Sequence, residues 1–243
     1  MNTDLIHQLK CLWQLVFQEP MEAIDAFFDT GFSSDRCRYI MQDNTPVSAL
    51  YWLDCEYEGG KLAYIYAVAT HPDHRGKGLA SRLLAQTHDQ LKGRGYAGAV
   101  LKPANGLFPF YGRLGYVTSG HICRFSVEKS QDPVPLKTLS KEEYALLRRS
   151  FLPQNAVIQE GETLNFLHTF AKFYASEDAL ICVAKQEPVF LEYLGNPHSA
   201  PGILAALEIE SAEIPTYGDE IPFTMFYPLN CTKIPGYLGI TLE

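Results

Sequence analysis

The sequence lacks the cysteine spacing that a disulfide framework or a zinc centre requires. No two of its six cysteines form a Cys-x-x-Cys pair, and none stands at a metal-ligand spacing from a histidine. Disulfide-stapled and zinc-binding modules are therefore excluded as classes, and no metal is expected. The thiols are expected to be reduced and mostly buried.

A long apolar run is missing as well. No stretch approaches the roughly 20 apolar residues that a membrane-spanning helix needs. The first segment, MNTDLIHQLKCLWQLVF, carries Asp4 before its apolar residues and Lys10 among them, which is unlike a signal peptide. We therefore expect a cytoplasmic protein with no membrane partner.

An excess of positive charge is the third absence. The formal net charge is −8, and all of it belongs to residues 131–243, which hold 7 basic and 15 acidic residues, against 13 of each in residues 1–130. An acidic surface disfavours nucleic acid and attracts cationic small molecules or basic peptides. A merely solvated acidic surface accounts for the same composition.

Length and charge together suggest two domains. The chain has 243 residues, of which 47% are hydrophobic and 20% charged, which suits one large or two small globular domains. The segment SQDPVPLKTLS at 130–140 holds two prolines between a strand-like run and a new helix start. We expect a first domain at 1–130 and a smaller α+β domain at 131–243.

Hydrophobic periodicity predicts the order of elements. The first half reads as two helices, a three-stranded meander, a helix, a strand, a short helix and a strand; the second half reads as a shortened copy of that order. The ranges that matter below are strands at 37–41, 47–56, 61–70 and 98–101, helices at 78–92, 105–113 and 164–174, and a late strand at 237–242.

The loop between the third strand and the following helix has the chemistry of an anion site. Arg75-Gly76-Lys77-Gly78-Leu79-Ala80 opens a helix, whose first amides are unpaired and carry the positive end of the helix dipole. Its spacing matches neither G-x-x-x-x-G-K-[ST] nor G-x-G-x-x-G. The alternative is a glycine-bearing turn whose basic residues are only solvated.

Two stretches carry a resemblance to a known family. YIYAVATHPDHRGKGLASRLL and LKPANGLFPFYGRLGY resemble the GNAT superfamily of acetyl-CoA-dependent N-acetyltransferases, whose pyrophosphate loop reads [Q/R]-x-x-G-x-[G/A]. LKCLWQLVF and FPFYGRLGY look most like a bacterial subgroup with an extra C-terminal domain. The resemblance implies an α+β GNAT (acyl-CoA N-acyltransferase) fold, with a central mixed sheet flanked by helices. The second domain would be a degenerate GNAT-like copy.

The resemblance also implies roles for single residues. The backbone of Val68 and Thr70 would contact the pantetheine arm, and Arg82 or Lys77 a ribose phosphate. Tyr111 would be the general acid that protonates the leaving thiolate of CoA. Asn105 would contact the cofactor, or it caps its helix. The residues that would cradle the pyrophosphate are Arg75, Gly76, Lys77, Gly78, Leu79 and Ala80.

A general base is the missing part of this pattern. The strand KLAYIYAVAT, where many GNAT enzymes carry a glutamate, has no carboxylate. A water chain ending on Glu56, Glu58 or Tyr64 would have to serve, or a group from the second half. The pair His71 and His74 hints only weakly at a metal. No G-x-S-x-G nucleophile motif is present, which favours direct transfer over an acyl-enzyme.

The expected activity is therefore transfer of an acetyl group from acetyl-CoA to a primary amine of a small molecule or peptide, in a ternary complex. The acidic second half would form one wall of the acceptor site. The alternative is a non-catalytic acyl-CoA-binding or regulatory protein that keeps the loop but lacks a base. The sequence leaves open the amine, the acyl-chain preference and whether the protein is a homo-oligomer.

Overall fold

The computed structural model describes residues 3–242 and divides the chain into two compact units. The first unit comprises Met1–Val117 and Met225–Lys233, and the second comprises Thr118–Thr224 and Ile234–Glu243. The division into domains at 1–130 and 131–243 stays a prediction. No helix within residues 3–242 has both the length and the apolar character of a membrane span.

The first unit alternates helices and strands in the predicted order. Its helices are α1 (Thr3–Phe17), α2 (Met21–Thr30), α3 (Leu79–Gly93) and α4 (Phe108–Arg113), and its strands are β1 (Cys37–Gln42), β2 (Thr45–Tyr57), β3 (Gly60–Thr70) and β4 (Gly98–Leu101). Asp43 and Asn44 both have positive φ, +48° and +60°, as the tight β1–β2 hairpin requires.

The sheet of the first unit is mixed. β1, β2 and β3 form an antiparallel meander, and β4 runs parallel to β3 because α3 carries the chain back between them. On the α3 face, Leu50 and Ile65 belong to one core with Leu83. On the opposite face, the Trp13 ring of α1 lies 4.9 Å from Phe27 and 5.2 Å from Tyr51. Helices therefore cover both faces.

The second unit is a smaller α+β assembly. Its strands are β5 (Val117–Glu128), β6 (Lys137–Leu139), β7 (Ala171–Ala175), β8 (Ala179–Ala184), β9 (Phe190–Gly195), β10 (Ser211–Tyr217) and the start of β11 (Ile221–Pro228); its helices are α5 (Lys141–Phe151), α6 (Glu162–Phe170) and α7 (Ala200–Ala206). The Ser140 and Glu143 side chains form the reciprocal capping box of α5. The α+β class predicted from the sequence is confirmed.

The second unit repeats the connectivity of the first. β7, β8 and β9 are antiparallel, and α7 carries the chain from β9 to the parallel strand β10, as α3 does from β3 to β4. β6 extends the sheet beyond β7. This order of two helices, a meander and a crossover resembles that of the first unit, and the interpretation of the second half as a degenerate GNAT-like copy stays a prediction.

The strand that completes the sheet of each unit lies, in the sequence, next to elements of the other unit. β5 follows α4 but pairs antiparallel with β10 in the second unit. β11 follows β10 but pairs antiparallel with β4 in the first unit, through Met225–Pro228. In the sequence, β11 therefore comes after all other strands of the first unit, and β5 comes before all other strands of the second.

Two elements of the second half were predicted wrongly. The helix expected at 164–174 ends at Phe170, and Ala171–Ala175 forms β7 between β6 and β8. The strand expected at 237–242 is absent, and in that described segment only Tyr237 makes a single bridge, to Ala156. In both segments the spacing of the apolar residues fits more than one type of secondary structure, so contacts with the rest of the fold decide which one forms.

The second unit is held by a buried ion pair. Arg148 of α5 donates to Glu192 of β9 through Nε at 2.7 Å and Nη2 at 2.8 Å, and both side chains are almost fully buried. Tyr144 and Tyr237 donate hydroxyl hydrogen bonds to the same carboxylate, at 2.7 and 3.1 Å. Four donors therefore satisfy the Glu192 carboxylate.

Candidate active site

The loop between β3 and α3 is exposed and preformed. β3 ends at Thr70, a 3₁₀ turn spans Pro72–His74, and α3 begins at Leu79. Gly76 and Gly78 have φ of +74° and +71°, a left-handed conformation that glycine adopts without steric cost. The two glycines thus turn the chain from the strand into the helix.

Internal hydrogen bonds hold the loop to the end of the strand. Arg75 donates from Nε to the Thr70 carbonyl at 3.2 Å, and Lys77 donates from Nζ to the Asp73 carbonyl at 3.1 Å. The His71 amide donates to the Val47 carbonyl at 2.9 Å. Both cationic side chains are exposed and lie beside the start of α3.

The geometry of this loop fits an anion. The first hydrogen bond of α3 runs from the Arg82 amide to the Gly78 carbonyl at 3.0 Å, so the amides of Leu79, Ala80 and Ser81 have no acceptor within the helix. A Cβ placed on Gly76 or Gly78 would meet no atom within 4 Å. Open space therefore faces backbone donors at the positive end of the helix dipole.

The described pairing of β3 with β4 stops before this loop. Their register covers three pairs, from Leu62 with Gly98 to Tyr64 with Val100, whereas β3 continues to Thr70. Ala67 has a φ of +47°, and the register of β3 with β2 shifts at this point. In the described registers of β2 and β4, Val68 has no partner residue. A bulge beyond the end of the β3–β4 pairing leaves backbone available for a ligand.

The predicted cofactor residues near this opening differ in their surroundings. Val68 is half-buried, and the Thr70 carbonyl is occupied by Arg75. Asn105 is exposed in a turn that the hydrogen bond from the Leu107 amide to the Ala104 carbonyl closes at 3.0 Å.

The interpretation of Asn105 as a helix cap is wrong. α4 begins at Phe108 rather than at 105, and its N-cap residue is Leu107. Gly106, with a φ of +81°, turns the chain before the helix starts. The other interpretation of Asn105, contact with a cofactor, stays a prediction.

Tyr111 lies in α4 and is 6% exposed. Its ring packs edge-on against Tyr116, with centroids 5.5 Å apart, and its carbonyl accepts a hydrogen bond from the Tyr116 amide at 3.1 Å. The Tyr116 hydroxyl is 2.8 Å from Nε2 of His88, and the His88 ring stacks on Tyr227 at 3.9 Å. The candidate acid Tyr111 therefore belongs to a connected group of three tyrosines and one histidine.

Burial controls the protonation of this group. It lowers the pKa of His88 from 6.5 to about 4, although nearby Asp89 opposes the shift. Burial also raises the pKa of Tyr116 well above 10, and neighbouring Tyr111 and Tyr227 add to the shift. Both side chains are therefore neutral around pH 7.

Comparison with known proteins bears on the first unit. Residues 1–118 match the family described as acetyltransferase (GNAT) domain. The first 118 residues are a GNAT acetyltransferase domain. The chain thus carries an acyltransferase domain, as the resemblance of the two sequence stretches implied. Among curated proteins, none matches the chain.

Solved structures share the fold over nearly the whole chain. The GCN5-related N-acetyltransferase from Anabaena variabilis has a TM-score of 0.74 at 16% identity, covering 94% of this chain and 71% of that one. The GCN5-related N-acetyltransferase from Kribbella flavida has a TM-score of 0.69 at 16% identity, covering 95% and 70%. At such identities these likenesses show the fold, and they confirm the predicted GNAT fold with its C-terminal addition.

The two candidate glutamates, Glu56 and Glu58, lie far from the Arg75–Ala80 loop. Glu56 pairs with Lys61, nine residues before Thr70, which corresponds to roughly 30 Å of strand. Glu58 is exposed and forms an ion pair with Lys233. Both carboxylates therefore lie at the hairpin end of β3, away from Arg75.

Tyr64 is closer in sequence to the Arg75–Ala80 loop than Glu56 and Glu58 are, but its side chain is buried. Its side chain is 1% exposed, and its ring lies 6.1 Å from that of Tyr66. In β3 its side chain points to the same face as Tyr66, whose neighbour Phe27 belongs to α2. The role of Tyr64 as a base stays a prediction.

Two further groups singled out in the sequence have been located. The His71 and His74 rings are 5.4 Å apart beside the loop, and the described residues contain no cluster of three side chains suited to a metal ion. In the second unit, Lys129 pairs with Glu210 at 2.5 Å and Arg124 with Glu213 at 2.9 Å. The acidic residues of this region are thus partly neutralised by Arg124 of β5 and by Lys129, which follows that strand.

His88 is the residue of this region that sequence reasoning missed. It falls on the apolar stripe of α3 next to Thr87 and between Leu84 and Leu91, all of which are buried. A histidine at such a position reads as a core residue. Its spacing from Leu84 and Leu91, four and three residues away, was the only available sign that its ring points inward.

Proposed function

We propose that the protein is an N-acetyltransferase that transfers an acetyl group from acetyl-CoA to a primary amine of a small molecule or peptide. The observation that carries this proposal is the exposed Arg75–Ala80 loop, which opens α3 beyond the end of the β3–β4 pairing in a GNAT domain. Two proteins of similar fold, from Anabaena variabilis and Kribbella flavida, are GCN5-related N-acetyltransferases, which supports the same assignment.

The residues of the loop fit the phosphates of such a co-substrate. The amides of Leu79 and Ala80 would receive the pyrophosphate, with charge from Arg75 and Lys77. The unpaired backbone at Val68 would hold the pantetheine arm by adding a strand-like contact. Acetyl-CoA supplies an activated thioester, and the first unit supplies position and protons.

Tyr111 is proposed as the general acid. The amine nitrogen bonds to the acetyl carbon, the carbon–sulfur bond breaks, and the Tyr111 hydroxyl gives its proton to the departing sulfur. The proton lost by the amine nitrogen returns to the tyrosinate through solvent, so the products are an amide and the free thiol. A phenol and a thiol differ little enough in pKa for this transfer.

The acceptor is proposed to be cationic before it reacts, and the second unit, with its net negative charge, would raise its local concentration. Since no carboxylate lies on β3 between Gly60 and Thr70, proton removal from the amine is assigned to water. We place the protein in the cytoplasm, where acetyl-CoA is available.

The rival function is a non-catalytic acyl-CoA-binding or regulatory protein, which the lack of a carboxylate on β3 favours. Two measurements separate the two functions: acetyl-CoA affinity by calorimetry, and release of free CoA with a panel of primary amines. The enzyme should turn over at least one amine. Replacing Tyr111 by Phe should lower that turnover by about 10²-fold while affinity for acetyl-CoA stays unchanged.

Two outcomes would count against the enzyme. Micromolar binding of acetyl-CoA without turnover of any amine would favour the regulatory role. Near-normal turnover of Tyr111→Phe would keep the enzyme but remove Tyr111 from its mechanism.

A further inference from the structure

A buried histidine is linked to the tyrosine proposed as the acid. His88 of α3 is 6% exposed, and its Nε2 lies 2.8 Å from the Tyr116 hydroxyl. The apolar core cluster that contains its partner Tyr116 also includes Leu84 and Met225. A buried imidazole costs free energy unless it is hydrogen-bonded, so the bond to Tyr116 fixes both side chains.

Tyr116 in turn contacts Tyr111 in two ways. The Tyr116 amide donates to the Tyr111 carbonyl at 3.1 Å, and the two rings meet edge-on at an interplanar angle of 70°. The Leu114 amide also donates to the Tyr111 carbonyl, at 3.0 Å. The position of Tyr116 therefore sets both the end of α4 and one side of the Tyr111 ring.

A second ring closes the group from the other side. Tyr227 stacks on His88 with an interplanar angle of 12° and lies 5.3 Å from Tyr116. Gly115 has a φ of +95°, and a Cβ there would come within 3.1 Å of the Tyr227 ring. The turn from Tyr111 to Tyr116 is thus packed too tightly to shift unless His88 and Tyr227 move with it.

We propose that His88 is a positioning residue for the acetyl transfer, which holds the Tyr111 hydroxyl in place through its hydrogen bond to Tyr116. This inference rests on the proposed role of Tyr111 as the acid. His88 itself touches no reacting atom. Being neutral near pH 7, it acts through geometry and not through proton transfer.

The test is a double-mutant cycle between His88 and Tyr111. His88→Phe keeps a ring to stack on Tyr227 but removes the hydrogen bond, and should lower kcat about 10-fold or more while the Kd for acetyl-CoA stays unchanged. In a Tyr111→Phe background the same change should lower kcat no further, because the hydroxyl that it positions is gone. Tyr116→Phe breaks the bond from the other partner and should behave alike.

Two control variants distinguish positioning from simple loss of stability. His88→Gln keeps a hydrogen-bonding group for Tyr116 and should restore part of kcat. Thr87→Val alters a buried neighbour on α3 whose hydroxyl bonds to the Leu83 carbonyl, and should change the melting temperature but not kcat. If His88→Phe does not fold, Tyr116→Phe carries the cycle alone.

The outcomes are distinguishable. Equal losses of kcat in the wild-type and Tyr111→Phe backgrounds would overturn the positioning role and leave Tyr111 as the acid. An unchanged kcat in both His88→Phe and Tyr116→Phe would do the same. Normal turnover of Tyr111→Phe would instead refute the proposed acid, and the positioning role with it.

Discussion

At the residue scale, Gly78 combines two properties with different consequences. Its left-handed φ of +71° excludes most side chains on conformational grounds, while the space beyond its Cα is open. The positive φ is required by the turn of the chain, and the open space leaves room for a ligand. Substitutions that differ in size and charge can therefore separate the two.

Gly78→Glu should abolish acetyl-CoA binding, because the new carboxylate would stand where phosphate is proposed to meet the start of α3. Gly78→Ala is the matched control, since it imposes the same left-handed strain of about 1–2 kcal/mol without the charge. Calorimetry should show lost binding for Glu and largely retained binding for Ala. Equal affinity of Gly78→Glu and wild type would contradict the phosphate assignment.

His88 also predicts how stability depends on pH. Its pKa is about 4 in the folded protein and 6.5 in the unfolded chain, so the unfolded state binds the proton first as pH falls. This contribution to stability is complete above pH 6.5 and is lost as pH drops towards 4, amounting to up to about 3 kcal/mol. The charged or titratable groups around it are Asp89, Tyr116 and Tyr227.

Urea unfolding of wild type and His88→Gln at pH 7 and pH 4.5 tests this dependence. The free energy of unfolding of the wild type should fall more steeply between the two pH values than that of the variant. Parallel losses in the two proteins would assign the acid sensitivity to other groups.

At the scale of elements, α5 offers a comparison between a buried and an exposed ion pair. Glu192→Gln removes the charge opposite Arg148 in the core of the second unit, whereas Glu160→Gln removes the charge opposite Arg149, the next residue of the same helix, at the surface. We expect a loss of about 3–5 kcal/mol for the first and about 0–1 kcal/mol for the second. Denaturant titration measures both, and similar losses would show that burial does not decide the cost.

The loops that precede the two crossover helices, α3 and α7, differ in their polar contacts. In the second unit, Asp178 accepts hydrogen bonds from the Ser199 hydroxyl at 2.7 Å and the Asn196 amide at 2.9 Å, in the connection between β9 and α7. The Asp178 carboxylate, from the turn between β7 and β8, thus binds side chains of the loop that precedes α7, and this loop carries neither glycine nor Lys or Arg at 196–199. Calorimetry should accordingly find one acetyl-CoA bound per chain, and a stoichiometry of two would contradict this interpretation.

Some elements could be predicted from the sequence and others could not. The predicted strand at 98–101 matches β4, because Gly95 and Pro103 bound a short apolar run. β10 was not predicted, because Pro215 weakens its strand pattern. In the structure the strand nevertheless pairs with β5, with Pro215 in the register. The bulge at Ala67 left no sequence signal, since alanine seldom adopts positive φ.

The candidate site divides in the same way. The loop from Arg75 to Ala80 could be predicted because its glycines and charges are contiguous. The His88–Tyr116–Tyr227 group joins residues up to 139 positions apart, which only the folded chain brings together.

At the scale of the whole molecule, the net charge of −8 predicts a dependence on salt. The apparent KM for a cationic amine should rise with ionic strength, because screening weakens its attraction to the protein. The KM for an uncharged acceptor serves as control and should stay constant. Equal KM values for the cationic amine at low and high salt would leave the charge as a solubility feature.

The late strand β11 has a consequence for synthesis on the ribosome. Met225–Pro228 pairs with β4, so more than one hundred residues must be translated after Leu101 before that edge of the first sheet is covered. At roughly 10 residues per second, this delay lasts about ten seconds. During that time the nascent chain exposes the open edge of β4, next to β3. An open strand edge can pair with other chains, and a chain that ends before residue 225 lacks the segment that covers this edge.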